Sequence, residues 1–222
     1  MHTLPSRRRG WRLFGIAAVA VIFVTFVVGA SPARAQTSPL VVQVEEDWEL
    51  VIQNPDSGNV APQVTCAISP SLHLNGLYST FELNHKTVPE FVPGGVHLQL
   101  WSSEYNLSRK SHSSTAVLAT ANEVVRWTAR MKLQGNALSF AIVNGQSTTW
   151  GDFGGGTTLT ASYGTSLTNL NSYSCQKSVE NSGIGYASNR VTSLVLKRVR
   201  YTLDDGSVLT DDAPRVVHEL GE

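Results

Sequence analysis

The clearest pattern in the chain is the alternation in Arg126–Leu133. Trp127, Ala129, Met131 and Leu133 fall on one face, and Arg126, Thr128, Arg130 and Lys132 on the other. A period of two that separates apolar from cationic side chains describes a half-buried antiparallel strand. Gln134-Gly135-Asn136 is a turn signal, after which Leu138, Phe140 and Ile142 repeat the inward face. Asn144-Gly145 predicts a hairpin, because both central residues of a type I′ turn take positive φ. Gln146–Trp150 is then the returning strand. Such a meander buries only one face, so a second sheet is expected to cover it.

Similar alternation predicts strands at Leu40–Ile52, through Val64, Cys66 and Ile68, through Leu77, Phe81 and Leu83, and through Val96, Leu98 and Leu100. Thr115–Thr120 reads as a short strand. Val191–Leu203 reads as the last long one, with Val195, Val199, Tyr201 and Leu203 inward, and Asp205-Gly206 turns it into Val208–Thr210. Asn54–Gly58 and Asn84–Gly95 carry the Pro, Gly and Asn of loops. Gly154–Ser174 is rich in Gly, Ser, Thr and Asn with little periodicity, and no long helix or internal repeat is legible. Short strands about a dozen residues apart, punctuated by turn chemistry, predict an all-β fold. The expectation is a two-sheet antiparallel sandwich of the jelly-roll kind.

The first 35 residues have a different character. Arg7, Arg8, Arg9 and Arg12 precede the apolar run Leu13–Ala30, and Ala33-Arg34-Ala35 supplies a small-x-small cleavage pattern. This is the signature of a signal peptide cleaved after Ala35, with an uncleaved anchor as the alternative. The expected location is therefore secreted, periplasmic or at the cell envelope. Residues 36–39 form a linker, 36–222 a single domain, and the acidic stretch 211–222 a tail that frays.

Removal of the signal changes the charge. The full chain is formally neutral, whereas residues 36–222 hold twelve basic and seventeen acidic side chains. A mildly acidic exported domain disfavours nucleic acid as partner, and with the signal removed no membrane segment is expected. Cys66 and Cys175 are the two cysteines, and an even pair in an exported chain predicts a disulfide. In the chain-entropy model so long a loop is worth about 4 kcal/mol.

The phrase Leu138–Gly154, LSFAIVNGQSTTWGDFG, resembles the strand–turn–strand region of concanavalin A-like sandwiches. The resemblance implies that fold and is shared with exported β-sandwich proteins of unassigned function. Within Leu40–Ile52, Glu45, Asp47 and Glu49 project from one strand face. This Glu-x-Asp-x-Glu pattern resembles the active-site strand of laminarinase- and lichenase-type glycoside hydrolases. The resemblance implies Glu45 as nucleophile, Glu49 as acid/base and Asp47 as the group tuning them. Retaining hydrolysis wants its two carboxyl groups about 5 Å apart. The motif departs from the family at Glu46, where an apolar residue is usual. Three alternating acids also describe a plain solvent face or a charged edge.

Binding is the other reading. Trp101 lies on the polar side of its strand with His97 and Gln99 beside it and Tyr105 shortly after, while Trp150 and Asp152 follow the Asn-Gly signal. Aromatic faces next to amides and carboxylates stack a sugar ring and bond its hydroxyls. Burial of the same tryptophans as core is the alternative, and Trp48 and Trp127 are assigned to packing. Asp204-Asp205-Gly206 with Asp211-Asp212 offers the hard oxygens calcium takes, or simply an acidic hairpin turn. No zinc spacing, nucleophile elbow or phosphate loop is present, and no cofactor is expected. The sequence thus favours a non-catalytic module that binds a glycan or envelope component. A glycoside hydrolase and a purely structural envelope protein are the alternatives.

Overall fold

Two antiparallel sheets packed face to face make an all-β sandwich. The computed structural model describes residues 38–53, 62–74, 76–85, 94–103, 105–111, 116, 118 and 120–221. The expected signal peptide, the loop at 54–58, most of the loop at 84–95 and half of the expected strand at 115–120 lie outside them. In chain order the strands are β1 (Val41–Ile52), β2 (Gln63–Ile68), β3 (Leu77–His85), β4 (Gly94–Ser102), β5 (Tyr105–Ser111), β6 (Val124–Gln134) and β7 (Ala137–Ser147). They continue with β8 (Gly151–Phe153), β9 (Thr160–Gly164), the short helix α1 (Cys175–Glu180), β10 (Gly183–Tyr186), β11 (Val191–Leu203), β12 (Val208–Asp211) and β13 (Arg215–Glu219).

The larger sheet runs β12-β11-β1-β6-β7-β8, with β13 also on β11 and β9 also on β7; the smaller runs β10-β2-β3-β4-β5. β1 sits at the middle of the larger sheet, paired with β11 on one edge and β6 on the other. Its inward residues Val44, Trp48, Leu50 and Ile52 are almost wholly buried. Trp48 is opposite Trp127 of β6, and the two indoles stack at 6.2 Å and 7°. Phe81 of β3 reaches across from the smaller sheet to within 5.5 Å of the Trp127 ring. Each such ring contributes about 1.5–3 kcal/mol by leaving water, and together they hold the sheets in contact.

Glu46 is the exception on that inward face. It is 1% exposed and accepts hydrogen bonds from Trp48 Nε1 at 2.9 Å and Tyr173 Oη at 2.7 Å. Burial pushes its carboxyl up from the ordinary range, against the pull of the surrounding donors. The buried Ser178 hydroxyl of α1 lies beside it without a hydrogen bond of good geometry. This carboxyl ties β1 to the segment leading into α1, which explains an acid at a position where the strand pattern wants an apolar side chain.

Several expectations are corrected. Asn144-Gly145 is not a hairpin: β7 runs straight through it to Ser147, and the chain turns at residues 148–150 instead. The reason is a bulge at Val143, where Thr128 pairs with Asn144 but Ala129 pairs with Ile142. Gly145 faces inward against Phe153, and a Cβ there would lie 2.2 Å from the Phe153 ring. The glycine serves close packing rather than a turn. In β11 a second bulge, opposite Asp47 and Trp48, shifts the parity so that Leu194 and Leu196, not Val195, are fully buried. The segment expected as a tail carries β13, which pairs with β11 from Ser193 to Leu196.

The expected disulfide is not formed, and Cys66 and Cys175 are both thiols. Cys66 points into the sandwich from β2 at 4% exposure, beside Ser182. Burial pushes its thiol well up. Cys175 opens α1 and is half-buried beside Tyr201, in a different environment.

Two stability outcomes follow. Gly145→Ala forces the Phe153 ring out of its contacts with Phe81 and Trp150, and is expected to cost about 1–3 kcal/mol in urea unfolding. Glu46→Gln leaves one acceptor oxygen for two donors that bond different oxygens. A loss of about 1–3 kcal/mol is expected, and an unchanged urea midpoint would contradict the arrangement.

Candidate functional site

With the inward faces committed to the core, the outer faces of the two sheets remain. On the smaller sheet, Val96, Leu98 and Leu100 of β4 point inward, so His97, Gln99 and Trp101 lie on the other face, where His97 and Gln99 are buried at 3% and 1% exposure and Trp101 is half-buried. Register brings Tyr78 of β3 opposite Trp101 and Thr80 opposite Gln99. The Tyr78 and Trp101 rings lie 6.3 Å apart at 9°, both half-buried. Trp101 Nε1 donates to Thr80 Oγ1 at 3.2 Å, which fixes the plane of the indole.

Beside the rings a row of polar groups crosses three strands. Asn106 Nδ2 of β5 donates to Gln99 Oε1 at 2.9 Å, and Gln99 Nε2 donates to Glu82 Oε2 at 2.8 Å. These bonds orient each amide, and with Gln99 and Glu82 buried the row underlies the rings and only the half-buried Asn106 approaches solvent. Burial pushes the Glu82 carboxyl up to about 7, with the Gln99 amide pulling the other way. Tyr105 stands at the edge, 76% exposed.

On the larger sheet, Glu45, Asp47 and Glu49 form one outward row on β1 between two cationic rows. Glu49 pairs with Arg126 at 2.8 Å and Lys197 at 3.5 Å. Asp47 pairs with Arg198 at 2.7 Å and Arg200 at 3.3 Å, and also accepts from Thr128 Oγ1 at 2.7 Å. Glu45 pairs with Arg200 at 3.0 Å. Asp47 and Glu49 line a depression of about 580 Å³, with Asn144, Gln146 and Asp152 on the β7–β8 side. The bulges shape it: that of β11 turns the consecutive Lys197 and Arg198 to the same side, and that of β7 brings Asn144 opposite Thr128. Bulges commonly re-aim side chains in this way.

The structure therefore separates the residues that the sequence grouped for binding. Trp101 and Tyr105 belong to the smaller sheet and Asp152 to the depression of the larger. Trp150, expected as an exposed ring, is a correction: it is 7% exposed, donates from Nε1 to the Ala116 carbonyl at 2.8 Å and meets Phe153 edge-on. The hydrophobic demand between the sheets outweighs its place next to a turn. Tyr78, Glu82 and Asn106 were missed, because cross-strand register brings them to Trp101 and register is not visible in local pattern.

The Glu-x-Asp-x-Glu row keeps its shared face, but guanidinium, ammonium and hydroxyl donors engage its oxygens. Asp204 Oδ1 accepts from the Leu40 amide, and Asp205 Oδ1 from the amide and hydroxyl of Ser207. Asp211 is paired with Arg215. Among the described residues, no three His, Cys, Asp or Glu side chains gather as a metal would require.

No protein-family model matches the chain, and no curated protein sequence matches it.

Glu82 carries a pH signature. Its folded value of about 7 lies above the ordinary 4.5, so the folded state holds the proton more tightly. Its contribution is complete below about pH 4.5 and is lost as pH rises through about 7, by up to about 3 kcal/mol. Unfolding free energy is expected to fall over that window and to fall less in Glu82→Gln. Equal slopes in the two proteins would contradict the assignment.

Proposed function

We propose that this protein is an exported, non-catalytic β-sandwich of jelly-roll, concanavalin A-like type that binds carbohydrate on the outer face of its smaller sheet. The observation that carries this reading is the pair of parallel rings, Tyr78 and Trp101, beside the bonded row Glu82–Gln99–Asn106. A sugar presents apolar C–H faces and a rim of hydroxyls; the half-buried rings offer flat area to the first, and Asn106, held by the buried row, offers an amide to the second. Export rests on the basic and apolar N-terminal pattern with its Ala-x-Ala site.

Hydrolysis through Glu45, Asp47 and Glu49 is the weaker alternative, because their oxygens are held in ion pairs. A glycan array read with the wild type and with Trp101→Ala and Tyr78→Ala tests the binding reading. Each variant is expected to lose about tenfold or more in affinity, equivalent to about 1.4 kcal/mol, while remaining folded. Absence of any glycan binding by the wild type would leave a structural envelope role instead.

A further inference from the structure

The outer face of the larger sheet does not take part in the site proposed above. Residues 36–222 carry twelve basic side chains against seventeen acidic, yet six of the twelve lie on the outward positions of β6 and β11: Arg126, Arg130, Lys132, Lys197, Arg198 and Arg200. They flank three carboxylates of β1. The depression itself is balanced, with Arg126, Lys197, Arg198 and Arg200 lining it against Asp47, Glu49, Asp152 and Asp212. Where residues 36–222 as a whole are acidic, this lining is neutral and mixed.

Height matters as well as number. The side chains of Glu45, Asp47 and Glu49 are 19–21% exposed, whereas those of Arg126, Lys197 and Arg198 are 61%, 50% and 43% exposed. The acids lie low, and the cations stand above them. Arg126 and Lys197 share a single carboxylate, that of Glu49. A ligand arriving from solvent meets these guanidinium and ammonium groups together with the exposed Asp152, Asp212, Asn144 and Gln146 around a depression of about 580 Å³. That volume lies within the range of about 300–1,000 Å³ typical of small-ligand sites.

We infer that this depression binds an acidic oligosaccharide, with Arg126, Lys197 and Arg198 holding its anionic group and the exposed amides of Asn144 and Gln146 taking its hydroxyls. The mixed lining selects the class. An extended polyanion without hydroxyls gains from the exposed cations, but it meets the exposed Asp152 and Asp212 and leaves the Asn144 and Gln146 amides unused. A sugar bearing a carboxylate or sulfate uses both sets. Guanidinium suits either anion through paired N–H donors.

Titration calorimetry on the signal-cleaved protein, with oligogalacturonate, its methyl ester, a sulfated galactan oligosaccharide and polyglutamate, tests the inference. Oligogalacturonate or the sulfated sugar should bind, and which of them binds identifies the anion. The neutral methyl ester and polyglutamate should bind at least tenfold more weakly than the preferred acidic sugar. Arg126→Gln/Lys197→Gln should weaken acidic-sugar binding at least tenfold. These exposed pairs contribute little to stability, so an unchanged thermal midpoint serves as the folding control. Trp101→Ala should leave acidic-sugar binding intact, which separates this site from the aromatic face. No binding of either acidic sugar, equal binding of polyglutamate, or an unaffected double variant overturns the inference.

Discussion

The organisation of the molecule depends on β1 having two incompatible faces. Its inward side carries Val44, Trp48, Leu50 and Ile52, and its outward side Glu45, Asp47 and Glu49. A slip of one residue against β6 or β11 would put three carboxylates into the core and two cationic rows against hydrophobic side chains. Register is therefore specified twice, by burial on one side and by opposite charge on the other. The ion pairs themselves are partly exposed and individually weak. Their value lies in register rather than in stability, and the Trp48–Trp127 stack on the reverse face points to the same alignment.

Glu46 fits this account as a local violation. A buried carboxyl costs free energy unless its lone pairs are met, and here an indole N–H and a phenol O–H meet them. It anchors Tyr173, which in turn meets Tyr201 of β11 edge-on. One acid thereby links the centre of the larger sheet to the irregular chain before α1, a stretch with little hydrophobic pattern of its own.

Function is then left to surfaces that the core does not need. The sandwich consumes Trp48, Trp127 and Trp150 and leaves Trp101 and Tyr78 outside, backed by a row of bonded polar groups. Departures from regular pairing shape the opposite surface. Two bulges, each one extra residue, gather Lys197, Arg198 and Asn144 around Asp47. The regular part of each strand builds the core, while the irregular part shapes the candidate site.

Much of the fold was legible because it follows from local chemistry. Period-two alternation in Arg126–Leu133 specifies an inward face, and that face is inward in the structure. The cationic side of the same strand required acids or solvent, and it meets both. What local pattern cannot express is distance between strands. Asn144-Gly145 carries a turn signal, yet Phe153 needs the space of a missing Cβ, so the chain continues as a strand. Trp150 follows a turn but fills the gap between sheets, and Tyr78 joins Trp101 only through register. The sequence by itself determined the long alternating strands β1 to β4 and β6, their inward faces and the opposed charges of β1, β6 and β11, because each depends on the identity of near neighbours. Tertiary structure alone decided which aromatics became core and which surface, and where bulges broke the alternation, because those outcomes depend on volumes and pairings contributed by residues far apart in the chain.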